Sequence, residues 1–215
     1  MIVQSEAGTG SRSAPDRKSE ILAAAAAAFA AHSIAGTSMR EIGDAVGLNA
    51  GALYHYFRSK NAIVNELVTG YLSDLLTDYR SMNLDDLEPR ARLKAIVDVS
   101  LATGAARPDA TKVYHAEFAN LRNLLDYAEA RRLADSIQTI WLDAIEAGKD
   151  AGSLRKDVPS KVFHRFLRDS VWFSVYWRKP DDPYTLDELS EDCLAVFLDG
   201  MALRPTDACI TTPDQ

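Results

Sequence analysis

Apolar residues recur at helical spacing along most of this chain. Ile21, Ala25, Ala28 and Phe29 fall at i, i+4, i+7 and i+8 and mark one face of a helix that ends at the run HSIAGTS. Ser38-Met39-Arg40-Glu41 then fits the S-x-x-E capping box, in which the serine hydroxyl accepts from the Glu41 N–H and the Glu41 carboxylate reaches back to the Ser38 N–H. The short helix that starts there turns Ile42, Ala45 and Val46 inward and stops at Gly47, which lacks the Cβ that disfavours the left-handed, helix-closing conformation. A third helix runs from about Ala50 to Tyr56, with Leu53 and Phe57 directed at the same core, and Ser59 caps a fourth that continues through NAIVNELVTGYLSDLLTDYR. Three short helices and a long one, joined by tight turns, outline a helix-turn-helix head on a stalk.

Beyond about residue 83 no strand signal appears. Pro89 sits near the first turn of a helix that runs to about Arg107. Pro108 restarts the chain, and Tyr114, Phe118, Leu121 and Leu125 follow at helical spacing. A long helix through EARRLADSIQTIWLDAIEAGKDAG carries Leu133, Ile137, Ile140, Trp141, Ala144 and Ile145, and ends at Gly152. One more helix is expected from about Pro159 to Arg178, and another from a second capping box, Thr185-Leu186-Asp187-Glu188. The chain is therefore expected to be all-α, with about nine helices, a flexible arm at residues 1–14 and a polar tail at 206–215.

The last two helices carry more apolar surface than one face can hold. Phe163, Phe166, Ser170, Phe173 and Trp177 form one stripe, and Arg165, Asp169, Trp172 and Tyr176 form another. In the final helix Leu189, Cys193, Val196 and Gly200 share one face, while Leu186, Leu194, Phe197 and Met201 share a second. Such helices are covered on more than one side, by the chain's own interior or by a second subunit.

Composition narrows the setting. A chain of 215 residues with 47% hydrophobic residues builds a real core, and its net charge of -7 argues against a general polyanion binder. The charge is uneven: residues 1–60 carry +1 and the remainder -8. Cys193 and Cys209 are the two cysteines, with no CxxC and no histidine at metal-ligand spacing, so neither a disulfide framework nor a metal site is indicated. The run ILAAAAAAFAA is too short to span a bilayer, and the residues before it lack a signal-peptide pattern. A cytoplasmic protein without a membrane partner or cofactor is expected.

Candidate chemistry concentrates in VGLNAGALYHYFRSK, residues 46–60. The second helix of a helix-turn-helix enters the major groove with its N-terminal residues at the base edges. Small side chains at Asn49, Ala50, Gly51 and Ala52 let the backbone approach, and the helix dipole favours a phosphate nearby. Tyr54, His55 and Lys60 follow, where a hydroxyl, an imidazole and an ammonium reach phosphate oxygens; Thr37 and Ser38 do the same from the preceding helix. Elsewhere His32, His115 and His164 are scattered, with no acid–base pairing by spacing, and no nucleophile elbow, P-loop or dinucleotide fingerprint is present.

Residues 36–60, GTSMREIGDAVGLNAGALYHYFRSK, resemble the DNA-binding signature of the TetR family of transcriptional regulators. The match comprises a Gly-Thr-Ser opening, an Ile-Gly pair, Gly-x-Leu-Tyr in the recognition helix and Tyr-Phe-x-Ser-Lys into the next helix. Val46 and Leu48 stand where the turn more often reads Ala-Gly-Val, and Asn49 replaces a usual Ser. The resemblance implies a DNA-binding head at residues 15–58, a helical effector-binding and dimerisation domain at 59–205, and a homodimer. It places the dimer interface on the last two helices, with Phe173, Trp177, Val196 and Phe197 as contacts.

The resemblance also puts Tyr114, Phe118, Trp141 and Trp172 on the helices that enclose the effector, where they either line a cavity or fill the core themselves. Arg131, Arg132, Arg165 and Arg168 lie on the same helices and suit a carboxylate or phosphate. FLRDSVWFSVYWRKP is further similar to TetR-type regulators of steroid breakdown, whose effectors are coenzyme A thioesters. The expected function is a repressor that binds double-stranded operator DNA as a dimer and is released by a small amphiphilic acid or its thioester. The alternative, an all-α enzyme with an aromatic pocket, needs a convergent titratable pair that the sequence does not offer.

Overall fold

The computed structural model describes residues 16–121, 127–179 and 181–201, without the side chains of 117–121 and 201. The expected arm, the tail and the side chain of Phe118 lie outside the described residues. The helices are α1 (Arg17–Gly36), α2 (Met39–Ala45), α3 (Ala50–Tyr56), α4 (Lys60–Arg80), α5 (Pro89–Ala106), α6 (Pro108–Leu121), α7 (Ala128–Asp150), α8 (Ser160–Trp172), α9 (Ser174–Trp177) and α10 (Leu186–Met201). Nine of these are longer than a single turn, and a 3-10 turn, Leu84–Asp86, precedes α5. No strand occurs among the described residues.

Local chemistry sets the boundaries. Glu41 N–H donates to Ser38 Oγ at 3.2 Å and Ser38 N–H to Glu41 Oε2 at 2.6 Å, completing the capping box of α2. Thr185 and Glu188 repeat it before α10, at 2.7 and 3.2 Å. Asn49 Oδ1 accepts from Ala52 N–H at 2.8 Å, and Ser59 Oγ from Ala62 N–H at 3.1 Å, which caps α3 and α4. Two glycines are fixed by space or backbone. A Cβ on Gly43 would lie 2.7 Å from the Leu48 carbonyl oxygen, and Gly47 closes α2 at φ 67.

α1 to α3 enclose Ile21, Ala25, Phe29, Ile34, Ile42, Leu53 and Phe57, all buried, together with Ile63 and Val64 from the start of α4. α1 is long and apolar enough to cross a membrane, yet its buried residues, Ile21, Ala25, Ala26, Phe29 and Ile34, belong to the core of this head. α4 then continues through the body, burying Val68, Tyr71, Leu72, Leu75, Leu76 and Tyr79 at the 3.6-residue period. At 1.5 Å per residue it is about 31 Å long, enough to span both regions. α7 packs on α4 and α5, α6 packs on α1 and α4, and α8 and α10 pack on α5.

The helix expected from Pro159 to Arg178 is interrupted. Its α-run ends at Trp172 and resumes for one turn at Ser174. Phe173 between them keeps helical dihedrals, φ -71 and ψ -8, and Trp172 and Tyr176, expected on one stripe, part: Trp172 is buried and Tyr176 is exposed.

Candidate functional site

Two regions bring the candidate residues together. On α3, Leu53 and Phe57 are buried and turn the opposite face outward. Asn49, Ala50, Gly51 and His55 are exposed, Ala52 is half-buried, and Tyr54 is 51% exposed. Ser38 is also exposed at the start of α2. This convex surface of small residues ending in a tyrosine and a histidine has the shape that a major groove admits.

Two expected phosphate contacts have other tasks. Thr37 is only 3% exposed, and its hydroxyl donates to the Ser33 and Ala28 carbonyls at 2.9 and 3.3 Å, so it is a structural residue of the head. Ser33 sits at φ 64, a left-handed kink near the end of α1 that this bond helps to hold. Lys60 Nζ donates to the Ile34 and Thr37 carbonyls at 2.5 and 2.7 Å. Its ammonium satisfies carbonyls at the end of α1, where the helix dipole favours a cation, and thereby ties the start of α4 to the head.

The second region is a cavity of ≈ 170 Å³ among α4, α6, α7 and α8, lined by Leu72, Tyr114, His115, Trp141, His164 and Trp172, with Arg131, Asp135, Gln138 and Arg168 also on its walls. Trp141 and Trp172 are 1% and 4% exposed, so most of each ring is packed into the core and one edge is left for the cavity. The rings fall into two groups, Tyr114, His115 and Trp172 with Tyr71 behind them, and Trp141 with His164. Tyr71 lies 5.6 Å from Tyr114 and 6.3 Å from Trp172, His115 stacks on Trp172 at 4.9 Å, and His164 tilts against Trp141 at 5.6 Å. Asp135 and Gln138 are exposed and mark the mouth.

Burial dominates the electrostatics. It pushes His115 down to about 3 and His164 down to about 4, with the Arg168 guanidinium adding to both, so each ring is neutral near pH 7. Arg168 is half-buried and donates through Nε and Nη2 to Asp169 Oδ1 at 2.9 and 2.6 Å. Among the four arginines expected near a ligand, Arg131 and Arg168 line the cavity. Arg165 and Arg132 are exposed and do not line it, and Arg132 pairs with Glu129 at 2.6 Å. Sequence spacing missed the two histidines: they stand on α6 and α8, and only packing brings both to one cavity.

The expected subunit face is exposed in large part. Phe173 and Trp177 are 52% and 54% exposed, and Val196 is 71% exposed, with Phe166 and Tyr176 beside them in the chain also open. Phe197 differs: it is half-buried, its ring 6.4 Å from that of Phe163, so part of it belongs to the chain's own core.

Residues 21–67 match the family model for bacterial regulatory proteins of the tetR family, and residues 86–201 match the tetracyclin repressor-like C-terminal domain. The chain is 35% identical over 186 residues to the HTH-type transcriptional repressor KstR2 of Rhodococcus jostii (strain RHA1), which spans 86% of this chain and 91% of that protein. The solved structure of the ketosteroid transcriptional regulator KstR2 of Mycobacterium tuberculosis superposes with a TM-score of 0.80 at 30% identity, covering 89% of this chain and 97% of that one. AibR, solved in complex with isovaleryl coenzyme A and operator DNA, shares the fold at a TM-score of 0.73 and 19% identity, over 84% of this chain and 97% of that chain. Two family models that together reach from the first helix to the last, and relatives that align along nearly the whole chain, give one conclusion: this chain belongs to the TetR family of bacterial transcriptional regulators.

Proposed function

We propose that this chain is a ligand-responsive repressor, with residues 15–58 as its DNA-binding head and 59–205 as its effector-binding and dimerisation domain. As a homodimer it presents two copies of α3 to successive major grooves, with Asn49, Ala50, Gly51 and Ala52 at base edges and Ser38, Tyr54 and His55 at phosphates. It leaves the operator when an amphiphilic effector, a steroid-derived or other acyl acid or its coenzyme A thioester, occupies the aromatic cavity.

The observation that carries this reading is the position of the cavity. Its walls include Leu72 and Leu75 of α4 and Tyr114 of α6. α4 is bonded at its start to the end of α1 through Lys60, and α6 packs on α1. A space of about 150 Å³ holds one benzene ring, so ≈ 170 Å³ admits little more. A fused-ring acid must spread the helices, and its binding energy then favours the conformation in which they are spread. Arg131 and Arg168 on the cavity wall suit the acid or phosphate end. The similarity to a solved ketosteroid transcriptional regulator supports the ring-bearing class.

Fluorescence anisotropy with DNA from upstream of the chain's own gene tests the proposal. Submicromolar binding that is reversed by a steroid-acid thioester is the expected result. Binding that no acid or thioester reverses would reject the effector class, and no binding at all would reject the operator.

A further inference from the structure

One polar side chain stands in the first turn of the helix proposed to enter the major groove. Across residues 49–52, Ala50, Gly51 and Ala52 offer methyl groups and backbone, so hydrogen bonding to a base edge falls to Asn49. Its amide is already engaged at one end. Oδ1 accepts from the Ala52 N–H at 2.8 Å, and it lies 3.4 Å from where a Cβ on Gly51 would stand, tucked against the helix. A backbone N–H can only donate, so chemistry fixes which end of the amide faces inward. Nδ2 is the other end, on an exposed residue, and nothing among the described residues accepts from it.

An asparagine free at both ends reads adenine, accepting from N6 with its oxygen while it donates to N7. Asn49 has no oxygen to spare for that pairing. A group that only donates is matched by guanine, whose O6 and N7 are adjacent acceptors, and is opposed by the amino groups of adenine and cytosine. We propose that Asn49 is a specificity-determining residue that selects a guanine in each operator half-site by donation from Nδ2. The contact belongs to the side-chain amide and does not draw on the dipole of this short helix. It deepens the proposed operator binding and rests on it.

The test uses the full chain as wild type, Asn49→Ser and Asn49→Asp. Each is put through selection from a randomised duplex library, and each guanine of the enriched site is then replaced in turn and measured by fluorescence anisotropy. Serine and aspartate are both good N-caps, so α3 keeps its start in either variant. The wild type should enrich a two-fold symmetric site with a guanine in each half whose replacement by adenine weakens binding about tenfold. Asn49→Ser should reduce that penalty to within about twofold, and Asn49→Asp, which turns the free end into an acceptor, should replace the guanine with cytosine, whose N4 amino group donates. If the added charge suppresses binding by Asn49→Asp altogether, Asn49→Ser decides alone. A wild-type site that requires no guanine overturns the role of Asn49 and leaves the repressor standing; that comparison needs no variant to fold. Guanine requirements that all survive Asn49→Ser, or Asn49→Asp where it binds, overturn it as well. Failure of the wild type to enrich any site removes the operator and this inference together.

Discussion

The indole Nε1 of Trp141 donates to the hydroxyl of Tyr79 at 3.2 Å, joining the cavity wall on α7 to the long helix α4. Ser100 gives its only hydroxyl proton to the Ile96 carbonyl at 2.6 Å, so its oxygen accepts from Tyr79 at 2.5 Å. The resulting chain of donors runs from α7 through α4 to α5 inside the core, with Tyr79 wholly buried.

Tyr79→Phe should therefore destabilise the chain by about 1–3 kcal/mol, since it strands the Trp141 N–H without an acceptor. Thermal or urea unfolding measures this directly. A variant as stable as the wild type would mean that the three helices are held by apolar packing alone.

Lys60 and Tyr54 should behave differently although both fall in the same motif. Lys60→Met removes two bonds to carbonyls at the end of α1. It should lower the stability of the chain and weaken DNA binding while leaving the slope of log K against log salt unchanged; a slope shallower by about 0.9 would put the ammonium on a phosphate instead. Tyr54→Phe, at an exposed position, should leave stability within about 0.5 kcal/mol and weaken specific and random DNA by similar factors. Equal affinity for both DNAs before and after the change would take Tyr54 out of the interface.

If the proposed homodimer forms through the last helices, Phe173→Glu should dissociate it at micromolar concentration. Phe173, Trp177 and Val196 expose large apolar side chains on the last helices, and a carboxylate placed in a dry contact costs several kcal/mol, or more than about a hundredfold in association. Light scattering reads the mass. A charged variant that stays dimeric would move the interface elsewhere.

The two cavity histidines should make stability fall on mild acidification. Both are pushed below their ordinary value, to about 3 for His115 and about 4 for His164. Between about pH 6.5 and 4 the unfolded chain then binds protons that the folded chain does not, so stability rises with pH across that window. Each histidine contributes a slope of up to about 1.4 kcal/mol per pH unit. His115→Leu should remove about half of that slope in unfolding titrations, and an unchanged slope would show that His115 is protonated in the folded state.

Short-range chemistry explains how much of this molecule is legible before folding. Both capping boxes join residues three apart, and the serine and glutamate carry their own instructions wherever the rest of the chain goes. The glycine that closes α2 and the apolar period of α4 are local in the same sense. By themselves they determine an all-α chain with a helix-turn-helix near its start. The tertiary structure decided which polar groups meet. Thr37 reads as a phosphate contact until the kink at Ser33 folds the end of α1 over its hydroxyl. Lys60 finds carbonyls more than twenty residues away, and His115 and His164 share a cavity only because α6 and α8 pack around α4 and α7. Helix period records which face is apolar but not which neighbour covers it, since burial depends on the angle and distance at which separate helices pack.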